Sequence, residues 1–507
     1  DGDRGRGLQT SGRRSRRGLP DASASGTREP ERGQQTAATR IGPIDPMEPL
    51  RTTSLGDLWS RYGASWAEFN RCVVPSTFPS PEDSNLVVGA TLCAYHHTRG
   101  AASLFDVSYK VGLRVTGTDR EFVADQFLTC NIRAMREGDV QYSCVLDSKG
   151  LILDDAFVYL TGESVEILTS GCHSRQVKDY IGQYVTYVRR SGADVAFSQS
   201  PRTTTVALQG PRAREALVRA LSDTQTAAPL ALETPGTERL PVDSAVLRTM
   251  PYMSFLGLQG RGGGSGGAGA VVLCVGTTGE DGFEITAPPG ALLERLCEAL
   301  LERAPGVRPA GLYCLDVLRM EAGLPLFGKD VPSGRASPVR ASLTWTLDQS
   351  KMRNHTMFGW RGLFFQLAKG PPKRRVGILL DGPGHAGCRL LSNPHRQPIG
   401  EITSTSWSPA LRARVGMAYV KPEYAKASKH LLVSVPFNLP THKMRRKAIR
   451  HWTKAGMVRS AYRRLVAAVV MPLPFVAHRY PEPERQRRAL ARLRPFASAD
   501  AAAADRE

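Results

Sequence analysis

The stretch GLILDDAFVYL, Gly150 to Leu160, constrains the fold more than any other part of the chain. It is an apolar run broken only by two adjacent aspartates. Val140–Leu146 and Leu151–Leu160 flank Asp147-Ser148-Lys149-Gly150, whose composition suits a four-residue hairpin loop. With that loop, Leu146 faces Leu151 and Tyr142 faces Asp155, with Cβ atoms roughly 5 Å apart on one sheet face. Alternation puts Leu153, Asp155, Phe157 and Tyr159 on one face, and Ile152, Asp154, Ala156, Val158 and Leu160 on the other. Both faces are apolar. A chain carrying this strand must therefore cover it on both sides, inside a layered fold.

The aspartates are the anomaly. Aspartate is a poor strand former, and an ionised carboxylate taken out of water costs on the order of several kcal/mol unless compensated. Two accounts fit the pattern. In one, Asp155 sits in a recess walled by Tyr142, Phe157 and Tyr159, suited to hydrogen-bonding a ligand amine or stabilising a developing cation. In the other, one aspartate satisfies backbone donors where the strand begins and its neighbour reaches solvent.

The rest of the chain narrows the class. Strand-like runs at 139–146, 165–169, 204–208, 271–275 and 376–380 mix with helical patterns at 120–130, 211–221 and 289–303. They show no regular βαβ rhythm, so we expect an α+β fold. From residue 373 onward, short β-like pieces such as RRVGILLDG and HLLVSVPF alternate with Pro, Gly and Ser, as in a small C-terminal β-barrel. Residues 260–269, GRGGGSGGAG, form a flexible insert that lacks the GK[ST] ending of a phosphate-binding loop.

The net charge of +20 is concentrated at two places: residues 1–40 carry nine Arg against five acids, and Lys443 to Arg464 holds nine basic residues and no acid. The remainder is only mildly basic, which argues against a protein built around nucleic-acid binding. The nine Cys are scattered singly without a CxxC, as for buried thiols in a reducing compartment, and no metal site is expected. No apolar run approaches the ~18 residues that cross a bilayer. The longest, Leu465 to Val476, is broken by Pro472 and Pro474. Residues 1–46 read as a disordered, targeting-like segment and 481–507 as a disordered tail.

Eight segments resemble, in order, the aminomethyltransferase (T-protein) of the glycine cleavage system. SLFDVSYK at Ser103–Lys110 is similar to that family's LFDVSHM, and YSCVLDSKGLILDD at Tyr142–Asp155 to its Y-S-x-x-x-N-x-x-G-G-I-x-D-D. ALQGP, TGEDGFEI, LRMEAGLPLFGKDV, SPVRASLTWTL, GEITSTSWSPAL and LPFVAHRY follow, so that the resemblance spans residues 47–480.

The resemblance implies a three-lobed folate-binding fold: folate-binding domains over 47–350 and a C-terminal barrel over 373–480 that carries the basic insert 443–464. It implies transfer of a one-carbon unit from a lipoyl-bearing H-protein to tetrahydrofolate, with release of ammonia, by a mitochondrial monomer. Matched residue by residue, the catalytic carboxylate falls on Asp155. The folate contacts fall on Tyr142, Glu284 and Tyr480, with Tyr159 in the same aromatic recess. Asp154 becomes structural. Some positions depart from the family. Its folate-contacting Arg, in G-A-R-D, is Leu315 here; Arg319, one helical turn on, points about 40° away from that place. The His of DVSHM is Tyr109, and the second Gly of the GG-I pair is Leu151. A competing expectation is a non-catalytic relative: a mitochondrial scaffold, an RNA-associated protein using the basic insert, or an iron–sulfur assembly protein.

Overall fold

The computed structural model describes residues 39–41, 49–80, 87–136, 138–222, 230–233, 240–241, 244–260, 269–436 and 463–481. The architecture is α+β, as expected. A five-stranded antiparallel sheet runs in the order Ala196–Gln199, Val111–Thr116, Ser164–Thr169, Ile152–Leu160, Val140–Leu146. An eight-stranded sheet has Gly282–Ala287, Thr204–Gln209 and Ala102–Asp106 next to one another, with Val307–Ala310 added in parallel at its edge. Six strands from Arg374–Leu380 to Arg463–Met471 close into a barrel. Together the two sheets with their helices and the barrel make the three lobes. A four-stranded sheet that includes Ser65–Phe69 and Cys72–Thr77 completes the fold.

Two of the longer helices show how apolar stripes pack on the sheets. Ala291–Arg303 buries Leu293, Leu296, Cys297 and Leu300, and Ser174–Arg190 buries Val177, Ile181 and Val185, all at helical spacing. The strand Ile152–Leu160 is covered on both faces. Ala156 and Val158 face the helices, whereas Phe157 and Tyr159 meet Phe255, Val271 and Leu273 of the eight-stranded sheet. That inter-sheet layer is what takes Asp155 out of bulk water.

The hairpin register differs from the expected one. Asp147 N donates to Leu151 O, and a bulge lets Leu146 pair with Ile152 while Val145 pairs with Asp154. Leu153 is the extra residue. It joins Ala156 and Val158 in the helix-side core instead of sharing a face with Asp155. The strand body is thereby shifted by two residues, so Tyr142 opposes Phe157 and Asp155 opposes Cys144. A two-residue shift leaves every side chain on its own face, and Tyr142 and Asp155 stay diagonal neighbours.

Four barrel strands coincide with the β-like pieces expected after residue 373. Arg389–Ser392 and Arg463–Met471 are additional. The second begins with the last two arginines of the basic segment and runs through the Leu465 apolar stretch. Residues 1–38, 261–268, 443–462 and 482–507, where the tails and inserts were expected, lie outside the described residues. Among the described residues no helix is long and apolar enough to cross a membrane.

Buried charge ties the barrel to the helices Val87–Gly100 and Leu312–Glu321. Glu321 accepts Tyr95 Oη at 2.7 Å, Arg99 Nη2 at 2.6 Å and the barrel's Ser408 Oγ at 2.5 Å. The hairpin loop is held separately. Gly150 and Gly359 touch backbone to backbone, both at positive φ, where the helix Trp360–Lys369 begins. A Cβ on Gly359 would lie 2.0 Å from Gly150 N. Gly359→Ala is therefore expected to cost more than the ~1–2 kcal/mol of a left-handed alanine alone. The check is a lower denaturation midpoint at unchanged m-value.

Candidate functional site

Asp155 is held from three directions. Tyr142 Oη donates to its Oδ2 at 2.7 Å. Its backbone N donates to Asp154 Oδ1 at 2.9 Å, and its carbonyl accepts Ser170 N at 3.2 Å. Ser170 Oγ also donates to Asp154 Oδ1, so the fully buried Asp154 and Ser170 form a clasp around Asp155. Asp155 Oδ1 is shielded from solvent and has no hydrogen-bond partner among the described residues. An acceptor left in that state costs about 1–3 kcal/mol. Asp154 Oδ2 is in the same state.

Burial pushes the Asp155 carboxyl up to about 6, while the Tyr142 hydrogen bond and then the Lys110 charge restrain the rise. Asp154 is raised well above the usual carboxylate range, by burial and then by the Asp155 charge. The two carboxyls are neighbours in one buried place and titrate as a pair.

Lys110 and Glu284 continue the site. Glu284 is fully buried on Gly282–Ala287, and Lys110 Nζ lies 2.6 Å from both of its carboxylate oxygens. The same ammonium sits 5.0 Å from the Phe157 ring centroid. Tyr142 packs edge-on to Phe157 at 5.7 Å and stacks on Trp345 at 5.3 Å. Trp345 is half exposed and forms the outer wall. Tyr480 lies beyond the barrel's last strand, stacked on Tyr252 at 4.3 Å with planes 9° apart. Burial, then the Tyr480 contact, push the Tyr252 hydroxyl up, and the Glu284 charge adds to this.

Of the residues picked from sequence, Asp155 and Tyr142 touch, and Glu284 joins them through Lys110. Tyr480 stands on the Tyr252 side of Glu284. Tyr159 is elsewhere: it is buried against Phe255 at 4.8 Å, four residues or ~13 Å along the strand from Asp155. Leu315 is buried in one cluster with Tyr109. Arg319 is not free to stand in for the missing arginine, because Asp330 and Asp316 hold it at 2.6 Å each.

The chain is similar to known proteins along most of its length. Residues 55–351 match the GCVT N-terminal domain, and residues 373–445 match the glycine cleavage T-protein C-terminal barrel domain. The chain belongs to the glycine cleavage T-protein family.

The mitochondrial aminomethyltransferase of Canis lupus familiaris is 31% identical over 389 residues, covering 76% of this chain and 86% of that one. That of Homo sapiens is 30% identical over 391 residues, covering 76% and 87%. The crystal structure of the glycine cleavage system aminomethyltransferase T from Bartonella henselae superposes with a TM-score of 0.66 at 26% identity, covering 85% of this chain and 99% of that one.

Within this T-protein scaffold, sequence reasoning missed Lys110, Trp345 and Tyr252. The first two stand inside the quoted segments SLFDVSYK and SPVRASLTWTL, where a charge ending an apolar run and a lone Trp were available signals. Tyr252 had none.

The raised Asp155 carboxyl has a stability consequence. The folded state binds that proton more tightly than the unfolded chain, so this group stabilises at low pH and loses stability as pH rises through about 6. Asp155→Asn removes the buried charge and keeps an acceptor for Tyr142. Thermal scans should show a higher midpoint than wild type at pH 8, with the gain shrinking as pH falls below 6. A gain independent of pH would contradict the assignment.

Proposed function

We propose that this chain is the aminomethyltransferase of glycine cleavage, moving a one-carbon unit from the lipoyl arm of an H-protein to tetrahydrofolate. The observation that carries this reading is Asp155, fixed by Tyr142 at one oxygen and unpartnered at the other, within a T-protein scaffold. When bound, tetrahydrofolate supplies two nitrogens that bond to the carbon as its bonds to the amine and to sulfur break, the two N–H protons ending on ammonia and thiol.

The protein's own part is positioning and charge. Asp155 Oδ1 accepts a hydrogen bond from the attacking nitrogen and orients its lone pair toward the carbon. Ionised above about pH 6, the same carboxylate stabilises the positive charge that develops as ammonia leaves. Tyr142 keeps the carboxylate from rotating. Trp345 and Phe157 give the ligand flat walls and exclude water, which strengthens the electrostatics. Glu284 is the residue to which the resemblance gives the ring contact, and Lys110 holds both of its oxygens. Tyr480, stacked on Tyr252, closes the Glu284 side. Tyr159 supports the site from the inter-sheet layer.

The reading includes a mitochondrial location, supported by the names of the relatives and the Arg-rich N-terminal residues. Purified full-length chain should bind tetrahydrofolate and release ammonia from aminomethylated H-protein. Asp155→Asn should abolish turnover while binding changes only a few-fold. Wild type showing neither binding nor turnover would sink the enzyme reading. Salt-sensitive RNA binding lost on deleting residues 443–464 would then favour the scaffold.

A further inference from the structure

The helix Trp360–Lys369 turns its apolar side outward. At about 100° per residue, Leu363 and Gln366 share the inward side. Leu363 is fully buried, and Gln366 accepts from Ser337 Oγ. Trp360, Phe364, Phe365, Leu367 and Ala368 fall on the remaining arc. Phe364 is 61% exposed, Phe365 57% and Leu367 48%. A surface helix ordinarily keeps polar residues there, and a contiguous exposed apolar patch marks a contact surface.

The charge around this face has one sign. From Gln349 to Leu380 the sequence has seven Lys and Arg and no acid. Two of the seven are buried and committed. Lys351 is held by Asp125 and by three carbonyls, and Arg375 donates to the carbonyls of Ala341 and Gly323. Arg353, Arg361, Lys369, Lys373 and Arg374 stand at the surface, and none is ion-paired among the described residues. Arg361 lies over the Trp360 ring at 5.2 Å and Lys369 over the Phe365 ring at 4.9 Å. Long basic side chains beside outward aromatic rings suit an interface with an apolar and an anionic layer, one for the stem and one for the charged head.

A second copy of the chain would bring the same cations against these and be repelled. A stable protein partner covers roughly 800 Å² on each side, which a helix only ~15 Å long cannot supply. A lipid surface sets no such minimum, and its anionic headgroups add roughly fivefold in affinity for each nearby Lys or Arg. We propose that the helix Trp360–Lys369 lays its outward face into the headgroup layer of an anionic bilayer. Phe364, Phe365 and Leu367 reach the acyl boundary, and the cations stay among the headgroups. The contact is peripheral, and it is independent of the folate reading.

The Arg-rich residues 1–40 and the basic segment 443–464 are attracted to anionic surfaces by charge alone, so the test must separate insertion from charge. The full chain is sedimented with vesicles of phosphatidylcholine, alone or mixed with phosphatidylglycerol. Wild type should bind the mixed vesicles and bind phosphatidylcholine alone far less. Phe364→Ser together with Phe365→Ser should weaken binding roughly 10- to 100-fold, the effect of two aromatic side chains that no longer leave water. Arg361→Gln should weaken it roughly fivefold. An unchanged thermal midpoint shows that these outward changes leave the fold intact. The extra emission of Phe364→Trp should be quenched by bromine carried on the acyl chains. Wild type that ignores anionic vesicles overturns the inference. So does a serine pair that binds as wild type does, which puts the binding in the basic segments. Wild-type dimers abolished by the serine pair would give the face to a second copy and overturn it too.

Discussion

A carboxylate held away from water, fixed by Tyr142 at one oxygen and without a protein donor at the other, is the constraint around which this site is arranged. Ionised and buried, Asp155 is tolerable only where its surroundings are fixed in advance. The inter-sheet layer of Phe157, Tyr159, Phe255 and Leu273 excludes water. The Asp154–Ser170 clasp holds the backbone on either side, and Tyr142 fixes the second oxygen. The same fixing makes it useful, because an electrostatic group that need not reorganise acts at full strength when charge develops.

Charge in the site alternates in space: Asp155, then Lys110, then Glu284. The ammonium between the carboxylates lets both stay buried. Two acids facing one another without it would raise one another's affinity for a proton, as burial and then the Asp155 charge do for Asp154. The adjacent Asp154 and Asp155 thus divide their tasks by environment. Asp154 accepts from Ser170 and from the Asp155 backbone; Asp155 is held by Tyr142 and acted on by the Lys110 charge.

Much of this was legible before the structure. The two-faced apolar strand required cover on both sides, and alternation alone separated Asp155 from Asp154. The barrel followed from short strands punctuated by Pro and Gly. What failed did so for physical reasons. At the Leu153 bulge Ile152 N donates to Ala336 O, Gly334 N to Ile152 O and Ser333 Oγ to Leu153 O, partners about 180 residues away that local turn composition does not show, and the expected register was two residues off. The strand Arg463–Met471 begins with two arginines, which hid it behind a basic run. Lys110 escaped because its meaning lies in Glu284, a partner 174 positions along the chain that only the sheet order brings within reach. Tyr159 was grouped with Asp155 because alternation assigns a face but not a distance along it.

The most direct test of the central claim is a crystal structure of the full chain with tetrahydrofolate bound. The expected result has a ligand nitrogen within ~2.6–3.2 Å of Asp155 Oδ1, with Tyr142 still on Oδ2 and the ring edge against Glu284. A ligand bound elsewhere, or one seated here while Asp155 Oδ1 turns to a protein donor, would contradict it.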